Sequence, residues 1–268
     1  MGSLQQLARS MAWKRHIPGY KAWNRLFYRR EYPALARTVF GIDFPHPVGL
    51  APVLERQTDL LDECASLGFA FCGIAPAQTP VKEIAERLSD RKSGILASIE
   101  LRAEGAAEDQ ACQDLIRTYS LLYDFADFFT VDINRQTGLS SMDDLSDWWD
   151  LLDELLSLRL CYERYKPILM RIPPTYSEEQ QARLLDFCLL SGIDGIVAAG
   201  PVGVRKSVAY TKGRLPVVGS GAITVPEDAV ALLQAGASLV EVAQGIPAHP
   251  AATSKRLLAA IDNLHPNI

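Results

Sequence analysis

Two glycine-bearing segments near the end of the chain have the composition of an anion cradle. One is Val218-Gly219-Ser220-Gly221-Ala222-Ile223, followed by Thr224-Val225-Pro226-Glu227; the other is Val242-Ala243-Gln244-Gly245. Glycines at the ends of strands let backbone N–H groups approach an anion closely, and a helix starting just beyond adds its dipole. The chemistry expected of such a pair is phosphate binding. The same glycines also suit a tight strand-to-helix turn, so spacing alone leaves both readings open. Other chemistries find less support. The five cysteines (Cys64, Cys72, Cys112, Cys161, Cys188) have no CxxC spacing and read as buried thiols. The four histidines (His16, His46, His249, His265) form no HxxxH or HxxE pattern, so no metal site is expected.

The elements that must position the glycines repeat along the chain. Short apolar runs occupy Val48–Pro52, Phe69–Ala75, Gly94–Glu100, Phe128–Ile133, Pro167–Ile172, Gly195–Ala199, Pro216–Gly219 and Leu239–Ala243. They start roughly 20 to 40 residues apart, the spacing of buried parallel strands joined by crossover helices. Eight such units predict an α/β fold, a (β/α)8 TIM barrel over residues 39–268, with chemistry at the strand C-terminal ends. Ahead of it, Val39–Ile42 and Phe44 predict a short strand or hairpin. Helix starts are predicted at Thr58, at Ser141 before Asp143 and Asp144, at Ser177 in a capping box with Gln180, and at Thr224 in a second capping-box pattern. Gly68 is expected to end the first crossover helix.

Residues 1–38 form a short N-terminal extension, with helices predicted over 3–12 and 20–29. Residues 1–30 hold seven basic residues (Arg9, Lys14, Arg15, Lys21, Arg25, Arg29, Arg30), no acid, and interleaved Trp13, Tyr20, Trp23, Phe27 and Tyr28. Such a segment packs as a cap on the barrel end, or lies peripherally on an anionic membrane surface. The whole chain carries a net charge of −5, which disfavours nucleic acid as a partner. No signal-peptide pattern or 18-residue apolar run occurs, so a cytoplasmic protein is expected, with peripheral contact at the inner membrane face through residues 1–30.

Two longer stretches carry a resemblance. Phe40-Gly41-Ile42-Asp43-Phe44-Pro45-His46-Pro47-Val48-Gly49-Leu50-Ala51 is similar to the first-strand signature of the dihydroorotate dehydrogenases. Leu215–Ile223, with Asp228-Ala229 and Ala235–Val240, resembles that family's closing strands, and the basic N-terminal segment resembles its membrane-associated, quinone-using class. The resemblance implies a flavoprotein oxidoreductase of pyrimidine biosynthesis whose barrel binds FMN. Ala51, Gly219, Gly221, Ala222, Gln244 and Gly245 would then line the cofactor site, with Gly221, Ala222 and Gly245 on the phosphate.

The family's reacting groups are replaced. After the first strand its Gly-Phe-Asp-Lys-Asn becomes Val53-Leu54-Glu55-Arg56-Gln57. After strand four its Asn-x-Ser-Ser-Pro-Asn-Thr becomes Asp132-Ile133-Asn134-Arg135-Gln136-Thr137, without the serine base. Its strand-three Asn-Ile-Gly-Lys-Asn is Ser98-Ile99-Glu100-Leu101-Arg102, its strand-five lysine is Arg171, and its strand-six Asn-Thr-Thr is Ala199-Gly200-Pro201. Arginine does not substitute freely for lysine, and the lost base and donors carry the family's transition-state stabilisation. Two expectations follow. In one, the barrel no longer oxidises dihydroorotate and binds FMN or another phosphate-bearing ligand; Glu55–Arg171 or Asp132–Arg56 ion pairs then fill the mouth. In the other, it is an active FMN-dependent oxidoreductase, acting on dihydroorotate or another small molecule. Asp132, Arg56 and Arg171 are then the catalytic candidates, with Glu55, Asn134 and Arg135 beside them and Asp132 or Glu55 as proton acceptor.

Overall fold

The eight apolar runs pair side by side in chain order, and the last returns to the first. The computed structural model describes residues 32–52, 61–76, 80–102, 108–132, 146–244 and 250–264. After an antiparallel hairpin of β1 (Arg37–Val39) and β2 (Ile42–Phe44) come β3 (Val48–Leu50), β4 (Phe71–Ile74), β5 (Leu96–Leu101) and β6 (Phe128–Asp132). β7 (Ile168–Arg171), β8 (Gly195–Ala199), β9 (Val217–Ala222) and β10 (Leu239–Gln244) complete a closed parallel barrel in which β10 pairs with both β9 and β3. Each barrel strand is followed by a helix: α1 (Leu61–Ser66), α2 (Val81–Ser89), α3 (Glu108–Leu122), α4 (Ser146–Arg159), α5 (Glu178–Ser191), α6 (Gly200–Thr211), α7 (Pro226–Gln234) and α8 (Pro250–Leu264). This is the expected (β/α)8 barrel.

Local signals explain several boundaries. Ser177 caps α5 by accepting from the Gln180 N–H at 3.2 Å, while the Gln180 side chain accepts from the Ser177 N–H at 3.0 Å. At α7 the expected Thr224 cap is displaced by one residue. Val225 takes the N-cap position, and the Asp228 carboxylate accepts from the Thr224 and Val225 N–H groups and the Thr224 hydroxyl, at 2.8, 3.0 and 3.0 Å. A carboxylate accepts several donors at once, so Asp228 rather than Glu227 closes the turn. β9 also runs three residues beyond its apolar run, because Ser220 and Gly221 pair with Glu241 and Val242, and Ala222 pairs with Gln244 after a register shift. The helices expected over 3–12 and 20–29, and the starts at Thr58 and Ser141, lie outside the described residues.

The barrel interior changes character along its axis. Paired residues of a parallel sheet project to the same face, and alternate residues along a strand share it. At the N-terminal end the inward side chains are Phe71, Phe128, Leu169, Val197, Val218 and Leu239, packed with Val39 and Phe44 of the hairpin. Phe44, Phe71 and Phe128 meet edge-on, with centroids 5.7 to 6.2 Å apart. The hairpin turn places both Phe40 (φ 54°) and Gly41 (φ 78°) in the left-handed region, as a two-residue primed turn requires. Phe40 accepts that conformation because its ring reaches beneath the barrel, where a Cβ on Gly195 would lie 2.4 Å from it. One step up β5 and β6 the inward residues are Ser98 and Thr130, and one step further they are Glu100 and Asp132. The floor is therefore apolar and plugged, and the polar chemistry collects at the opposite end.

Candidate functional site

At the C-terminal mouth five charged side chains from four strand ends converge. Glu100 stands on β5, Asp132 on β6, Arg171 on β7 and Glu241 on β10, with Arg102 just past β5. The register pairs Asp132 with Arg171, Arg171 with inward Val197, and Glu241 with Ser220, so all of these face the lumen. Glu100, Asp132 and Glu241 are 2, 5 and 5% exposed. Ionised carboxylates at such depth persist only when paired.

Arg171 makes the central pairing. Its Nε donates to Glu100 Oε2 at 2.9 Å, its Nη2 lies 2.6 Å from the same oxygen, and its Nη1 donates to Glu241 Oε1 at 2.8 Å. Arg102 forms the second centre. Its Nε and Nη2 donate to Asp132 Oδ2 at 3.1 and 2.9 Å, and Nη2 also donates to Glu100 Oε1 at 2.6 Å. Glu100 thus bridges the two guanidinium groups. Burial opposes the charge on Arg171, but the Glu241 and Glu100 carboxylates outweigh it and hold the guanidinium above its ordinary value. Burial raises the Glu100 carboxyl above its ordinary value, although Arg171 and Arg102 pull it down.

Sequence reasoning brought Asp132 and Arg171 to one site, and their strands do adjoin. It paired them with other partners. Among the described residues Arg171 is bound by Glu100 and Glu241, and Asp132 by Arg102; the expected Glu55–Arg171 and Asp132–Arg56 pairs each involve a residue outside that set. Arg56, Glu55, Asn134, Arg135 and Gly245 lie outside the described residues. Glu100 and Arg102 entered only as replacements in the strand-three motif and not as candidates, and Glu241 was missed altogether. Its signal was there: a single acid within Leu239-Val240-Glu241-Val242-Ala243. A lone charge in an otherwise apolar barrel strand has only the lumen to face.

The glycine-bearing ends divide in role. A Cβ on Gly219 would lie 3.1 to 3.2 Å from Leu232 and Ala237, so this glycine admits α7 against the sheet and faces away from the lumen. A Cβ on Gly221 would meet only Leu232 Cδ1 at 3.8 Å, and Ala222 is exposed at the strand end. The Gln244 backbone pairs with Ala222 and brings the two strand ends side by side. Ala51 is buried at the end of β3, its N–H donating to the Val242 carbonyl at 3.1 Å. Asp228 lies lower than its ordinary carboxyl value because the Val225 and Thr224 N–H groups bind its ionised form. Among the described residues no group of three or more His, Cys, Asp or Glu side chains is arranged to hold a metal ion. No helix among them is long and apolar enough to cross a membrane.

Comparison with known proteins agrees with this architecture. A protein of Idiomarina loihiensis named dihydroorotate dehydrogenase (quinone) is 26% identical over 292 aligned positions, covering 83% of this chain and 87% of the relative. One of the same name from Salinispora arenicola is 27% identical, covering 88% and 86%. No protein-family model matches the chain. Among solved structures, ligand-free dihydroorotate dehydrogenase from Eimeria tenella superimposes with a TM-score of 0.75 at 17% identity, covering 96% of this chain and 93% of that one. A mandelate oxidase carrying an FMN adduct gives a TM-score of 0.56 at 15% identity, covering 85% and 76%.

Proposed function

Because this chain is a relative of the dihydroorotate dehydrogenases in sequence and a (β/α)8 barrel in fold, we propose that it is a dihydroorotate dehydrogenase-like protein that does not oxidise dihydroorotate. In this reading it keeps the ends of β9 and β10 as a site for a phosphate-bearing small molecule. One observation carries the first part: Arg171 is engaged by Glu100 and Glu241 through all three of its guanidinium nitrogens. Dihydroorotate and orotate are carboxylates. Bringing either to this mouth places it against three buried acids, with the central cation already taken. Like-charge approach at low dielectric is strongly unfavourable.

FMN, which the family resemblance implies, fits one end of the site and not the other. At the phosphate end, Gly221 and Ala222 offer an accessible strand terminus with room beside the backbone, beyond the Thr224 and Val225 donors that Asp228 uses. At the ring end, a flavin needs polar donors from the strand-five cation, and Arg171 has committed its own to carboxylates. The mouth therefore does not fit the flavin ring.

A second reading keeps the barrel as an FMN-dependent oxidoreductase acting on another small molecule. One oxygen of Asp132 favours it, since Oδ1 has no hydrogen-bond partner among the described residues and is free to accept a proton. The deciding experiment is the visible absorption of the purified protein, before and after adding FMN, followed by dihydroorotate oxidation with a quinone acceptor. The proposal expects no orotate formation. Turnover of dihydroorotate overturns it. A flavin spectrum with no turnover favours the second reading, and Asp132→Asn should then abolish turnover on the true substrate while leaving flavin bound.

A further inference from the structure

Among the described residues the mouth contains more acid than base. In that set, Glu100, Asp132 and Glu241 face Arg102 and Arg171, and the pairings leave acceptor oxygens over. Both Arg102 contacts with Asp132 go to Oδ2, and Arg171 meets Glu241 at Oε1. Asp132 Oδ1 and Glu241 Oε2 have no hydrogen-bond partner among the described residues. Neither is sealed in the interior, unlike the enclosed orphans Tyr119 Oη and Arg159 Nε elsewhere in the fold.

Ser220 is an independent pointer. It is 7% exposed, and its register with Glu241 and Ala199 turns its side chain into the lumen beside the Glu241 carboxylate. Its hydroxyl makes no hydrogen bond among the described residues. A hydroxyl on a buried serine and two solvent-reachable carboxylate oxygens on buried acids, with one net negative charge among the described residues, call for a cation that carries several hydrogen-bond donors. An anion has neither the sign nor the donors. Among the described residues the carboxylates form no group of three or more arranged to hold a metal ion.

We propose that the barrel mouth is a binding site for the primary ammonium group of a small organic amine, held by Asp132, Glu241 and Ser220. The three N–H donors of an ammonium match the three acceptors, and its charge offsets the surplus acid. This assignment rests on the reading that Arg171 belongs to Glu100 and Glu241 and that the mouth is not an orotate site.

The test is calorimetric titration of the full chain at low ionic strength with propylamine, propionate and tetramethylammonium. Propylamine is expected to bind saturably and the other two not to bind, because propionate has the wrong charge and tetramethylammonium lacks N–H donors. Asp132→Asn and Ser220→Ala should each weaken propylamine by about tenfold or more, the effect of losing one hydrogen bond to a charged group. Ser220→Ala removes only an unpaired hydroxyl, so it remains informative if Asp132→Asn disturbs Arg102 and the fold. Binding of propionate, equal binding of tetramethylammonium, or undiminished propylamine binding by Ser220→Ala overturns the assignment. No saturable propylamine binding in a protein that also fails to oxidise dihydroorotate defeats the amine site alone. Dihydroorotate turnover defeats the functional reading beneath it.

Discussion

Replacing Arg171 with methionine tests whether the mouth is held together by its ion pairs. The change keeps the length of the side chain and removes the contacts at 2.9, 2.6 and 2.8 Å to Glu100 and Glu241. Glu100 retains Arg102, while Glu241, 5% exposed, loses its cation. Removing one partner of a buried pair costs about 3–5 kcal/mol, because the remaining charge is left desolvated. At roughly 2–4 °C per kcal/mol for a chain of this size, the melting temperature should fall by roughly 6–20 °C. The deficit should also depend on pH. Losing Arg171, which pulls the Glu100 carboxyl down against its burial, raises the folded-state pKa of Glu100 further above the unfolded value. The carboxyl's favourable contribution is then present below the unfolded value, near 4.5 for Glu100, and is lost as pH rises through the folded one. The variant should therefore lie closer to the parent at pH 5 than at pH 8. Neutralising the acids as well, in Glu100→Gln/Arg171→Met/Glu241→Gln, should recover most of the loss. Thermal and urea unfolding followed by circular dichroism measure all three quantities. An Arg171→Met protein within about 1 kcal/mol of the parent at pH 8 would refute the argument, since a buried arginine pairing two buried acids cannot be that cheap to remove.

Other perturbations reach other parts of the molecule. His46 accepts the Val48 N–H through Nδ1 at 3.3 Å, and burial holds its pKa at about 4, below the ordinary 6.5. Its contribution is full above 6.5 and is lost as pH falls from there through about 4, so stability should decline between pH 6.5 and 5, before most carboxyls titrate, and His46→Gln should flatten that decline. Gly219→Ala should destabilise by about 1–3 kcal/mol through overpacking against Leu232 and Ala237, whereas Gly221→Ala, with 3.8 Å of clearance, should be nearly neutral by the same unfolding assay. Deleting residues 1–30 should abolish salt-sensitive binding to anionic lipid vesicles in a co-sedimentation assay; equal sedimentation of the truncated chain would assign that basic segment another role.

The eight strands were legible in the sequence because each is a buried apolar run between helix-capping signals. Gly195–Ala199 has the same bounds in both, and Ser177 with Gln180 starts α5 as its residue types require. These are local facts: a run of Ile, Val and Ala must leave water, and a serine followed three residues later by glutamine satisfies the free N–H groups of a helix start. Asp132 and Arg171 were also identifiable as residues of the barrel mouth, because each ends a barrel strand.

Their partners were not identifiable, because ion pairing at the mouth joins residues as far apart in sequence as Arg171 and Glu100, or Arg171 and Glu241. Barrel closure brings β10 back beside β3 and points Glu100, Arg171 and Glu241 at one axis, and no local spacing records that. The role of Gly219 was likewise a tertiary matter, since only the approach of α7 shows that its missing side chain serves packing. Sequence alone determined the barrel and which strand ends form its mouth. The closed sheet decided which charges meet there, because only closure sets strands distant in sequence around a single lumen.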